Sequence, residues 1–318
     1  MGTNHSIAGP IPMKKLASTL LLLALGAVPA RAQRAAPELP ALSLPASTRA
    51  LALGGIYAPA GAVESDALFY NPALLTAARG LGLSAARYGG ASTAGAFSAA
   101  QPLAPGGIAI GVLYLDYGVQ EAGGVRLAGQ GDALLARGPV LASNLVAAVG
   151  YGRTVKGVRL GVAGKLIEER QGGARGTGGA VDLGAAVPFL GTTLSLAVQN
   201  LGPEFERDGA RSPLPRRVTL SAARPSLPVG PFDLVPTAGV AVERDGFVSP
   251  AGGAELSYWP VQGKTFVGRF GLRRTPEGSG SPLTLGGGFI GDRFALDYTY
   301  ERFGAAGAAH RVGVRWRS

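Results

Sequence analysis

Between residues 293 and 317 the side chains alternate with a period of two, and this restricts the fold more than any other feature of the chain. Phe294, Leu296, Tyr298 and Tyr300 are apolar or aromatic, whereas Arg293, Ala295, Asp297, Thr299 and Glu301 between them are small or charged. After a turn rich in Gly and Ala, Val312, Val314 and Trp316 alternate with Arg311, Gly313, Arg315 and Arg317. Successive residues of a strand point to opposite sides, so this is a hairpin with one uncharged and one charged face. A soluble sheet with its apolar face packed inward alternates in the same way. Whether the unit repeats, and how its connections are arranged, separates the two readings.

The unit does repeat. Fourteen such stretches follow Gly80, from residues 81–88 to residues 309–317. Many approach the roughly nine to eleven residues that a tilted strand needs to cross a bilayer. Val158, Leu160, Val162 and Leu166 share one face of the fifth while Arg159, Lys165 and Glu169 share the other. An arginine at mid-depth in lipid costs about 2–4 kcal/mol, so in a membrane barrel the charged face looks into the lumen. The carboxylates Asp182, Glu243, Glu255, Asp297 and Glu301 fall on that inner face. So do Arg159, Lys165, Arg217, Arg269, Arg273, Arg311 and Arg315, and the expected arrangement is a mutually neutralising lumen network.

Connections after even-numbered strands are expected to be tight, as at residues 104–106, 156–157 and 291–292, with residues 224–231 the exception. Those after odd-numbered strands read as longer loops, at residues 118–140, 171–177, 201–215 and 275–282. Short turns at one rim, long loops at the other and an even strand count mark a bacterial outer-membrane barrel. The fold class is therefore all-β, a 14-stranded antiparallel transmembrane β-barrel occupying residues 81–318.

The start of the chain reads as a targeting device. Lys14 and Lys15 precede an apolar core, and Ala30-Arg31-Ala32 has the small-x-small form of a signal-peptidase site. Residues 1–32 are expected to be a leader, with Met13 its start and the mature chain beginning near Gln33. The chain has no cysteine, which excludes disulfides, thiolate metal sites and a lipid-bearing N-terminal cysteine. The formal charge of +10 becomes +7 without the leader's three basic residues. An exported chain with no basic run or stacking motif does not suit nucleic acid. Gly supplies 51 of 318 residues, about twice ordinary usage, with no collagen period. A folded structure has to use that glycine.

Residues 33–80 read as an N-terminal arm and hatch: an apolar, Pro-containing stretch expected to be extended in the periplasm, then short helical turns around Asn71-Pro72-Ala73. Arg49-Ala50-Leu51-Ala52-Leu53-Gly54-Gly55 leading to Asp66-Ala67-Leu68-Phe69-Tyr70-Asn71-Pro72-Ala73 resembles the opening of PorV/PorQ-type proteins, relatives of the FadL outer-membrane transporters. Asp182-Leu183-Gly184 with Leu196-Ala197-Val198-Gln199-Asn200-Leu201-Gly202 is similar to the middle of that family. The stretch from Leu296 to Gly304 with His310-Arg311-Val312 resembles its closing hairpin.

The resemblance implies a non-enzymatic barrel with a short N-terminal helical hatch, whose motif is Asn71, Pro72 and Ala73. It implies handling of exported cargo proteins in type IX-like secretion, with secretion-machinery or cargo proteins as partners. The alternative role is a FadL-like channel for hydrophobic small molecules. No cofactor or metal is expected, and the location is the outer membrane of a Gram-negative-type bacterium. After the leader His310 is the only histidine, at a loop edge on the lipid-facing parity, where it reads as a rim residue rather than a catalyst. Gly172-Gly173 and Gly286-Gly287-Gly288 lack the lysine and helix of a phosphate loop.

Overall fold

The computed structural model describes residues 39–58, 63–89, 92–120, 140–276, 280–302 and 307–317. The expected leader, its cleavage point and the first residues of the arm lie outside these. Among the described residues, fourteen long strands form one antiparallel sheet. They are β1 (Gly80–Tyr88), β2 (Ser92–Leu103), β3 (Gly106–Gln120), β4 (Val140–Val155), β5 (Val158–Gln171), β6 (Ala174–Phe189) and β7 (Thr192–Leu201), then β8 (Arg217–Ala223), β9 (Phe232–Glu243), β10 (Val248–Val261), β11 (Lys264–Arg273), β12 (Leu283–Ile290), β13 (Phe294–Arg302) and β14 (Ala308–Trp316). Each pairs with its neighbours in sequence, and β14 returns to β1 from Leu81↔Trp316 to Tyr88↔Ala309, so the fourteen strands close into a barrel.

Alternation decides which way each strand faces. Large apolar side chains point outward and are exposed, as at Leu160, Val162 and Leu166 on β5, the last 72% accessible. Lys165 and Glu169 on the same strand point inward and are buried. The outward set is the surface that lipid covers, and the barrel is of the outer-membrane type.

The tight turns lie at the rim where β1 begins and β14 ends. Lys156-Gly157 and Leu190-Gly191 both take positive φ at their two central positions, the backbone that joins twisted strands in a two-residue hairpin. Residues 171–177, expected to form a long loop, do not. β5 and β6 continue to Gln171↔Ala174 and turn through Gly172-Gly173, with Glu168 bridging Arg170 and Arg175 across the hairpin. Charged residues with glycine read as loop, but cross-strand ion pairs let them extend the ladder into solvent.

The chain from Leu39 onward runs inside the barrel rather than as an extended periplasmic arm. Leu39 and Ala41 are buried, and Leu42 and Leu44 pack against the same core. Apolar side chains at that spacing find a lumen wall of Leu113, Leu115 and Val146, which water would not match. The internal segment is helical only in part. It has one five-residue helix, α1 (Thr48–Ala52), capped by Ser47, whose Oγ accepts from the Ala50 N–H at 3.2 Å. Its other elements among the described residues are three 3-10 stretches at Pro40–Leu42, Ser65–Phe69 and Pro72–Thr76.

Candidate functional site

The internal segment meets the wall all the way round. After its apolar start, the stretch from Thr48 to Gly54 lies against the charged side of the lumen, where the Thr284 hydroxyl receives the Gly54 N–H at 3.3 Å and the Thr299 hydroxyl donates to the Thr48 carbonyl at 2.8 Å. Ile56 and Ala58 pack on Ala223 and Val235 of β8 and β9. Its second half lies on an apolar side built of small residues from β2 to β6, among them Ala96, Ala109, Ala148 and Ala163. The lumen is thus half apolar, where the alternation shows only that its charged residues face inward.

This packing accounts for the glycine excess. A methyl at Gly152 would lie 2.6 Å from the Pro72 carbonyl oxygen, and one at Gly286 2.6 Å from the Ala52 methyl. At Gly161 and Gly184 it would strike Pro72 and Asn71 directly. The wall is bare of side chains where the segment's backbone rests on it. Spaces between segment and wall include one of about 20 Å³ beside Ser47, Asp66 and Arg315 and ones of about 10 Å³ beside Leu44, Leu113 and Arg311 and beside Tyr57, Tyr70 and Ser195. Such volumes hold about one water each.

Asn71 anchors the second half. Its Nδ2 donates to the Ser195 hydroxyl at 3.0 Å and the Leu196 carbonyl at 3.1 Å, while its Oδ1 accepts the Ala73 N–H at 2.9 Å. Pro72 opens the 3-10 turn that buries Ala73, Leu74 and Leu75. Gln199 of β7 adds a hydrogen bond to the Phe69 carbonyl at 2.7 Å.

The first half is held by an alternating ladder of charge. Arg49 of α1 meets Glu255 at 2.8 Å, Glu255 meets Arg269 at 2.6 Å, and Arg269 meets Asp297 at 2.6 Å. Asp297 meets Arg315 at 2.6 Å, and Arg315 pairs with Glu64. Both ends of the ladder belong to the segment and the four rungs between them to β10, β11, β13 and β14. Burial alone would lower the Arg49 pKa, but the facing Glu255, with Tyr57 and Asp297 behind it, outweighs desolvation and raises Arg49 further above the ordinary arginine range. Asp66, beside the ladder, is raised above the ordinary aspartate range, first by burial; hydrogen bonds from Ser47 and Tyr57 act the other way.

A second constellation sits in the wall. From Leu183↔Val198 to Val181↔Leu201, β7 advances three residues while β6 advances two. The extra residue is a β-bulge, with Asn200 at φ +58° and both Gln199 and Asn200 turned inward. Lys165 Nζ donates to Asn200 Oδ1 at 2.8 Å and pairs with Asp182 at 2.7 Å. The Asn200 N–H donates to Asp182 at 2.8 Å, and its Nδ2 to the Pro215 carbonyl at 2.9 Å. Past the bulge β7 leaves β6, which is paired again only at Thr177↔Glu206. A concavity of about 630 Å³ opens there, lined by lipid-facing Val149, Leu166 and Val181 and by lumen-facing Ala148, Lys165 and Ala180.

The remaining charges named from the sequence fall elsewhere. Arg273 pairs with Glu301. Arg311 donates to the Tyr88 hydroxyl at 2.8 Å, the Ser84 hydroxyl at 3.2 Å and the Ala46 carbonyl at 3.4 Å. Arg159 is half-buried near the tight-turn rim opposite Ala186, and Arg217 is half-buried opposite Gln199 and Glu243. Sequence reasoning missed Arg49, Glu64, Gln199 and Asn200. For Asn200 the signal was available: it follows Leu194, Leu196 and Val198, where the alternation loses one step.

No protein-family model matches the chain, and no curated protein sequence does. Among solved structures, the TodX deltaS2S3 mutant monoaromatic hydrocarbon channel superposes with a TM-score of 0.56 at 12% identity, covering 85% of this chain and 97% of that one. The CymD monoaromatic hydrocarbon channel gives 0.56 at 11% identity over 89% and 99%. The toluene transporter TodX of Pseudomonas putida gives 0.52 at 13% identity over 84% and 95%. At such identities the likeness establishes the fold. It also overturns the PorV/PorQ reading and the secretion role that came with it, because the barrels this chain follows are hydrocarbon channels. The quoted motifs misled for a physical reason: residues 49–55, 66–73, 182–184 and 196–202 are where an internal segment meets the wall or where the wall bulges, features of a filled barrel as such.

Proposed function

We propose that the chain is a passive outer-membrane channel for hydrophobic small molecules, which leave the barrel sideways through the wall between β6 and β7. The observation that carries this reading is the apolar concavity of about 630 Å³ at the Asn200 bulge, next to a lumen that the segment fills. Its volume lies in the usual range for a small-molecule site, roughly 300–1,000 Å³. An axial route requires breaking a buried charge ladder and the Asn71 anchor; a sideways route requires neither. An apolar molecule loses nothing by passing from an apolar groove into lipid, whereas a polar solute would be stranded there. The solved barrels of the same fold that carry the names monoaromatic hydrocarbon channel and toluene transporter support the same cargo class.

The test is uptake of labelled toluene by intact Gram-negative cells whose own hydrophobic-compound channel has been deleted. Wild-type chain is expected to raise the rate. Deleting Asn200 restores equal steps on β6 and β7 and is expected to abolish the gain while the barrel still shows a heat-dependent gel shift. A deletion variant that transports as well as wild type refutes the sideways route.

A further inference from the structure

Where β13, β14 and β1 approach the loop rim, their lipid-facing side changes from apolar to basic and aromatic. His310 of β14 lies directly opposite Arg87 of β1 on one side and Tyr300 of β13 on the other. All three are exposed on the outer surface. The Tyr298 hydroxyl is 2.8 Å from His310 Nδ1, and the Tyr300 ring meets the imidazole edge-on at 5.5 Å between centroids. Arg302 ends β13 two residues beyond Tyr300, facing the same way. With strands about 4.8 Å apart and about 6.8 Å between alternate residues, the two guanidinium stems and the imidazole root within about 12 Å of one another.

Lower on these strands the same face is Leu296, Val312, Val314, Leu81 and Leu83, which suits acyl chains. No carboxylate occupies a lipid-facing position on β13, β14 or β1, and the connections at residues 303–307 and 89–91 contain no acidic residue. The tyrosines fix the imidazole, and an aromatic body with a polar tip belongs at a membrane interface. Arginine side chains bind phosphate oxygens in paired hydrogen bonds, which a zwitterionic amine headgroup would disfavour.

We infer that Arg87, Arg302 and His310, braced by Tyr298 and Tyr300, bind the phosphorylated sugar head of the glycolipid that forms the outer leaflet. The site is independent of the transport reading. It gives the barrel a fixed lipid on the arc built by its first and last strands, where the sheet closes.

Native mass spectrometry of the detergent-solubilised barrel tests it, with bis-phosphorylated lipid A, dephosphorylated lipid A and phosphatidylethanolamine as probes. Phosphorylated lipid A is expected to be retained at least about tenfold more strongly than the other two, the paired arginine contacts supplying the difference. A triple variant, Arg87→Gln with Arg302→Gln and His310→Phe, is expected to lose that preference while keeping its heat-dependent gel shift. A double variant at the opposite rim, Arg153→Gln with Lys264→Gln, is expected to keep it. Equal retention of dephosphorylated lipid, an unchanged preference in the triple variant, or complete competition by millimolar inorganic phosphate would each overturn the assignment.

Discussion

The bare wall under the internal segment makes a quantitative demand at Gly152. An added methyl there sits 2.6 Å from the Pro72 carbonyl oxygen and 3.1 Å from the Thr76 nitrogen, both backbone atoms. Ordinary contact is about 3.5–4.0 Å, so the 3-10 turn has to move by about 1 Å. That displacement strains the Asn71 hydrogen bonds at 3.0 and 3.1 Å and lifts Leu74 and Leu75 off their contacts. Overpacking of this kind costs about 1–3 kcal/mol. At about 1.4 kcal/mol per factor of ten, Gly152→Ala raises the unseated fraction of the segment about fivefold to a hundredfold. Gly161→Ala acts against the same turn, and because both shifts demand the same movement the double variant is expected to exceed either single one. Gly268→Ala, on β11 with no atom within 4 Å of the new methyl, is the control. The assay is conductance in planar bilayers together with protease cleavage within residues 63–79. Wild type and Gly268→Ala should be closed to ions and resistant, Gly152→Ala intermittently open, and the double variant open and cleaved. A double variant indistinguishable from Gly268→Ala would refute the claim that glycine marks where the segment rests.

Other outcomes follow from the ladder and its surroundings. Arg269→Met leaves Glu255 and Asp297 each short of a buried partner. It is expected to weaken seating of residues 49–64 by about 3–5 kcal/mol, seen as protease cleavage there with the heat-dependent gel shift retained. Asp66 binds its proton more tightly in the folded protein than in the unfolded chain. Seating is therefore firmest below the ordinary aspartate range, weakens as pH rises through the window up to the raised value, and is level above it. Asp66→Asn is expected to remove that slope, as measured by protease protection against pH. Asn71→Leu, isosteric but without hydrogen bonds, is expected to cost about 1–3 kcal/mol of seating for the buried Ser195 and Leu196 groups it abandons, with an increase in bilayer conductance as the readout.

The strands were legible because lipid and lumen impose opposite demands on successive side chains, and the β13–β14 hairpin states that demand without interruption. The residues at 171–177 were misjudged because Gln171, Gly172, Gly173 and Arg175 look like loop composition, while the pairing of Arg175 with Glu168 across the hairpin depends on two strands meeting. The arm was misplaced for a related reason: Leu39, Leu42 and Leu44 show no period, and only the lumen wall opposite them explains their apolarity. Lys165, Asp182, Arg269 and Arg315 could be assigned to the inner face by parity. The two places where the segment closes the ladder could not, since Arg49 and Glu255 are 206 residues apart and Glu64 and Arg315 are 251 apart. Glycine was visible as an excess but meaningful only once Pro72 and Ala52 were seen against Gly152 and Gly286. The PorV/PorQ motifs were real local features, but what they encode is the contact between segment and wall, which says nothing about cargo.

The most direct test of the account compares two probes in the same intact cells. Entry of the hydrophobic dye N-phenyl-1-naphthylamine and hydrolysis of a polar cephalosporin by periplasmic lactamase are followed with and without the wild-type chain. A filled lumen with a sideways apolar exit predicts faster dye entry and no change in cephalosporin hydrolysis. Faster cephalosporin hydrolysis, or dye entry unchanged by a folded, surface-located barrel, would contradict it.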